Sequence, residues 1–102
     1  MNDIQTKIQS MVLELIQAAE RDEFRPKLGK DILDCLPGIE DGSFFSLPFE
    51  IQRGKLGWLN GAFFGRGERA FALFKKGLLR DDFDSDFNHT IKCYLHPSDQ
   101  SN

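Results

Sequence analysis

Two adjacent phenylalanine pairs, Phe44-Phe45 and Phe63-Phe64, constrain this chain more than any other feature. Phenylalanine has no polar group to hydrate, and each fully buried ring is worth roughly 1.5–3 kcal/mol. The chain carries ten of them in 102 residues, against one tyrosine (Tyr94) and one tryptophan (Trp58), so its aromatic content is there to pack. In a β-strand, neighbouring side chains point to opposite faces. If both pairs lie in strands, either helices cover both faces of the sheet or one ring of each pair faces outward. An outward ring at a sheet edge is a surface for a partner.

The surrounding sequence reads as strands there. Ser43 to Leu47 and Phe49 to Gln52 form strand-like segments split by Pro48, which cannot donate to a ladder. Arg53-Gly54-Lys55 has turn composition, and Asn60-Gly61 is the strongest short hairpin signal in the chain, with Ala62 to Phe64 as its return strand. Thr90 to Leu95 alternates, with Ile91, Cys93 and Leu95 on one side, as a half-buried strand does.

Three helices are expected around this sheet. Ile4, Ile8, Met11, Val12, Leu15, Ile16 and Ala19 repeat at helical spacing, Asn2 or Asp3 can cap the start, and Arg25-Pro26 ends the run by about residue 23. A second helix is predicted over residues 28–36, ended by Pro37-Gly38. A third is predicted over 67–79, with Ala70, Phe71, Phe74 and Leu78 on its apolar face. The predicted fold is therefore an α+β single domain over residues 1–97, with three helices and an antiparallel sheet of three to four strands. Residues 98–102 form a flexible polar tail.

Charge is distributed unevenly along the chain. Residues 1–52 hold five Lys/Arg and ten Asp/Glu, residues 53–80 hold seven against one, and residues 81–102 hold one against five. A basic centre between acidic ends leaves the whole chain at −3. No apolar run reaches the ~18 residues of a membrane span, and the N-terminus has no secretory pattern, so a cytoplasmic location with reduced Cys35 and Cys93 is expected.

The motifs that carry chemistry are weak. Gly65-Arg66-Gly67-Glu68-Arg69-Ala70 matches the dinucleotide fingerprint in letters only, because no βαβ unit follows it, and no cofactor is expected. Asp82, Asp84, Asp86 and Asn88 open like a calcium loop, but Phe87 and Cys93 stand where that loop needs Gly and Glu. His89, Cys93 and His96 have no zinc spacing on a strand, which would split them across faces, and a Cys–His nucleophile lacks its third group. No catalytic residues and no metal ligands are assigned.

These readings point to a small non-enzymatic protein-interaction module of the adaptor, inhibitor or immunity type. Its expected partner is another protein, a second copy of the chain included. Its predicted face is the Phe-rich hairpin, with Phe44, Trp58, Phe63 and Phe64 as anchors and Arg53, Lys55, Arg66 and Arg69 as a basic rim. The alternative is single-stranded nucleic-acid binding through segment 53–80, using Arg66, Arg69, Lys75, Lys76 and Arg80 with interleaved aromatics.

Overall fold

Asn2 opens the first helix, α1 (Asp3–Arg21), with a complete capping box. Its side chain accepts from the Gln5 N–H at 2.9 Å while its own N–H donates to Gln5 Oε1 at 3.1 Å. The apolar stripe of α1 is buried as its spacing predicts, from Ile8 through Met11, Val12, Leu15 and Ile16 to Ala19. The computed structural model describes residues 2–22, 30–64 and 69–96, with the side chains of 30–33, 35–36, 62–64 and 69 not described. Among the described residues there is no strand, so the expected α+β domain with its antiparallel sheet is replaced by five α-helices and one 3-10 turn.

The second helix, α2 (Lys30–Asp41), runs through Pro37 instead of ending there. Proline in a helix interior forfeits one backbone bond, but two contacts hold the last turn. Ile39 is buried, and the Gln9 side-chain amide of α1 donates to the Ile39 and Glu40 carbonyls at 2.7 and 3.0 Å. The stop comes at Gly42, whose φ of +85° is left-handed and open to glycine. Asp41 then accepts from the Ser43 N–H at 2.8 Å, and its bonds to Ser43 hold its carboxyl below the usual range.

Residues predicted as the first strand form a 3-10 turn, Ser43–Ser46, and those predicted as a strand–turn–hairpin form one helix, α3 (Phe49–Phe64). Pro48 marks the helix start, its carbonyl accepting from the N–H groups of Ile51 and Gln52. Gln52, Leu56 and Leu59 lie at i, i+4 and i+7 and are buried. Gly54, Gly57 and Gly61 fall on the opposite side, where an added Cβ would meet no atom within 4 Å. The hairpin reading failed because the inward stripe of α3 includes a glutamine and its outward side is rich in glycine.

The fourth helix, α4 (Arg69–Lys75), stops before the predicted end at 79, in a turn at Gly77, whose φ is +74°. The fifth, α5 (Phe83–Leu95), replaces both the expected acidic loop and the last strand. Phe83, Phe87, Thr90 and Ile91 recur at i, i+4, i+7 and i+8 and are buried, while Asp84 and Asp86 sit in the first turn, where the helix dipole favours negative charge.

A ladder of side-chain contacts shows that α1 and the chain from α4 to α5 run antiparallel. Gln5 meets Tyr94, Lys7 meets Asp86, Glu14 meets Arg80, Arg21 meets the Leu78 carbonyl, and Asp22 meets Lys76. The α1 helix also packs on α2, while α3 closes against α4 and α5. Between them lies an apolar cluster that includes Phe83 and Phe87, both fully buried, with rings stacked at 5.6 Å.

Candidate interaction surfaces

The first phenylalanine pair does not divide as strand residues would. In a helical turn, adjacent side chains diverge by about 100–120° rather than 180°, so Phe44 points into the core and Phe45 lies half-buried beside it. Their rings meet edge to face at 5.2 Å, Phe45 meets Tyr94 in the same way at 6.0 Å, and Phe49 lies 5.8 Å from Tyr94. Phe44 is thus 3 % exposed and cannot be the outward anchor expected of it. Side chains of Phe63 and Phe64, at the end of α3, lie outside the described residues, as do Arg66 and the side chain of Arg69.

Beneath this aromatic group runs a polar chain invisible in the sequence pattern. Gln52, buried in α3, donates to the Phe45 and Leu47 carbonyls at 3.1 and 2.8 Å and accepts from the Tyr94 hydroxyl. That hydroxyl in turn accepts from the Gln5 amide at 3.3 Å. One glutamine therefore fastens the 3-10 turn to α3 and α5, and through Tyr94 to α1. Only a polar residue on an otherwise apolar i, i+4, i+7 stripe hints at this role.

Trp58, expected on a hairpin, stands instead on the outward side of a helix. It is 49 % exposed on α3, with Ile51 at 46 % and exposed Lys55 between them at i, i+4 and i+7. The three share one outward stripe flanked by the Gly54, Gly57 and Gly61 side, which leaves the helix backbone uncovered. Lys55 also lines an open groove of about 300 Å³ between α2 and α3, with Phe44 and Leu47 among its apolar walls and Asp34 among its polar ones. Leu47 is exposed. The fourth rim cation, Arg53, lies over the Phe49 ring at 5.3 Å, on a different side of α3 from Trp58.

Of the cations named for a nucleic-acid surface, the described ones, Lys75, Lys76 and Arg80, are each engaged. Lys76 pairs with the buried carboxylate of Asp22 at 2.9 Å. Arg80 reaches Asp82, Asp86 and Glu14 at 2.8, 3.3 and 3.4 Å, and these acids, Asp82 foremost, push its pKa above the usual value. Lys75 sits over the Phe71 ring at 5.4 Å. Phe71 and Phe74, expected in the core, are 54 % and 40 % exposed; Ala70 and Leu73 form the buried face of α4 instead.

The acidic run does not converge. On a helix its members turn away from one another, with Asp82 and Asp86 taken by Arg80 and Lys7, and no metal-holding group of His, Cys, Asp or Glu occurs among the described residues. Helical spacing does bring Cys93 Sγ within 3.5 Å of His89 Nε2, a pairing that a strand would have prevented, and Cys93 is a free thiol. The glycine-rich segment 65–67 lies outside the described residues. Among the described residues, no helix is long and apolar enough to cross a membrane.

No protein-family model matches the chain, and no curated protein or solved structure is significantly similar to it. Its function is therefore read from its own surface.

Proposed function

We propose that the protein is a small helical interaction module that binds another protein through the outward stripe of α3 and the adjoining α2–α3 groove. The observation that carries this reading is the half-exposed indole of Trp58 beside exposed Ile51. Tryptophan and isoleucine gain most from leaving water, and interface hot spots are enriched in tryptophan. Lys55 between them supplies a charge that orients an acidic group on the partner. With no strand edge among the described residues, recognition is by a groove and helix face, in which a partner segment lays its apolar side against Ile51, Trp58 and Leu47.

The test is comparative capture. Tagged wild-type chain, Trp58→Ala, Lys55→Glu and an exposed-surface control, Glu20→Ala, are crosslinked to their partners in source cells, and the recovered proteins are quantified. Light scattering of each purified variant reports binding to a second copy. The expected result is one species, heteromeric or homomeric, bound by wild type and the control and lost at least tenfold on Trp58→Ala, a change of ~1.4 kcal/mol. Equal recovery by wild type and Trp58→Ala contradicts the proposal.

A further inference from the structure

A second surface has a different chemistry. Between α4 and the start of α5 lies a cleft of about 160 Å³, walled by Phe71, Phe74 and Leu79 and rimmed by Asp81 and Asp84. Its volume is close to the ~150 Å³ that holds one benzene-sized guest, so it is scaled to a side chain rather than to a cofactor. The two rings stand 6.1 Å apart and tilted by 39°, both well exposed. Neither the Asp81 nor the Asp84 carboxylate has a partner among the described residues.

Arg80 also lines this cleft, but its guanidinium is spent on Asp82, Asp86 and Glu14 and lies over the Phe83 ring. The N-terminus of α5 contributes roughly half a positive charge, which the carboxylates of Asp81 and Asp84 outweigh. Lys75 covers one face of Phe71 but does not line the cleft. What remains, among the described residues, is an aromatic wall beside two carboxylates that no cation there offsets. A guest that suits both is an organic cation with an apolar stem, since ring faces attract cations and the stem covers apolar surface.

We propose that the α4–α5 cleft receives a lysine or arginine side chain from a basic segment of a partner protein, held against the Phe71 and Phe74 rings and paired with Asp81 and Asp84. The choice of a protein as the source rests on the interaction-module reading above; the cleft itself is independent of the Trp58 stripe.

The experiment is an NMR titration of the full chain with a blocked glycine–serine peptide carrying one arginine. Parallel titrations use the same peptide with lysine, with neutral citrulline, and tetramethylammonium chloride alone. Saturable shifts at Phe71, Phe74 and Leu79 are expected with the arginine and lysine peptides, weakening as salt rises, and much smaller with citrulline. Asp81→Asn with Asp84→Asn is expected to lower affinity at least fivefold, and Trp58→Ala to leave it unchanged. Equal shifts from the citrulline peptide, or none from the arginine peptide, overturn the site. Tetramethylammonium binding as tightly as the peptides assigns the cleft to a small cation and overturns the partner segment. A silent cleft in a chain whose partner is lost on Trp58→Ala sinks this inference alone.

Discussion

Gln52 shows how much one buried polar side chain can decide. Its amide satisfies two carbonyls of the 3-10 turn and a tyrosine hydroxyl, groups that have no replacement if it is removed. Gln52→Leu keeps the volume but leaves those groups unpaired, each loss costing about 1–3 kcal/mol. The expected outcome is a loss of at least ~2 kcal/mol in chemical denaturation, whereas Gln17→Leu, on the exposed side of α1, is near neutral. A change within ~0.5 kcal/mol for Gln52→Leu would mean that the network is ornamental. The same residue explains why the fold was misread: counted as polar, it hides the stripe it shares with Leu56 and Leu59. Residues whose chemistry agrees with their position were legible. A cap at Asn2 or Asp3 and the stripe from Ile4 to Ala19 placed α1 from spacing alone, while the Gln5 half of the capping box emerged only in the structure. Among the residues expected at an interface, Trp58 and Lys55 are exposed, whereas Phe44 is buried, because its burial depends on a turn type that the sequence leaves open.

At the level of elements, α3 is a helix built against its own propensities. Three glycines in its interior each cost about 0.8–1 kcal/mol relative to alanine, and their turn chemistry is what suggested a hairpin at Asn60-Gly61. Burial of Gln52, Leu56 and Leu59 against α4 and α5 overrides that preference. Because a Cβ at Gly54, Gly57 or Gly61 meets open space, each Gly→Ala change is expected to stabilise the chain by about 0.5–1 kcal/mol, read as a rise of several degrees in thermal midpoint. Destabilisation by all three would mean that this segment is not helical. For α4 the ambiguity was of another kind. Ala70 and Leu73 share one face and Phe71 and Phe74 another, both apolar, and only the neighbours decide which is covered. The larger rings were left outside, and they form the wall of the cation cleft. For α5, the periodicity of Phe83, Phe87 and Ile91 was present but overshadowed by the aspartates between them, which are helix-start residues as readily as loop residues.

Across the whole molecule, charge pairing knits the antiparallel seam that the sequence shows only as three charge blocks. Lys7, and after it Arg80, hold the Asp86 carboxyl below its usual value against partial burial. A carboxyl lowered on folding contributes stability that is fully present above its unfolded pKa, 3.8, and is lost as the pH falls through its folded value. Asp86→Asn is therefore expected to lower stability at neutral pH and to flatten its decline below pH ~4, checked by denaturation across that range. An unchanged acid limb would remove Asp86 from the seam. The basic centre thus serves the fold in part, through Lys76 with Asp22 and Arg80 with three acids, while Lys55 remains exposed on the outward stripe.

Trp58 is the only tryptophan in the chain, so its fluorescence reports on the proposed binding stripe and on nothing else. Acrylamide quenching of the dilute chain, then of the partner-bound or concentrated self-associated form, tests the account most directly. The account predicts an indole open to quencher in the free chain and shielded in the complex. An indole already shielded when free, or equally open in both states, would contradict it.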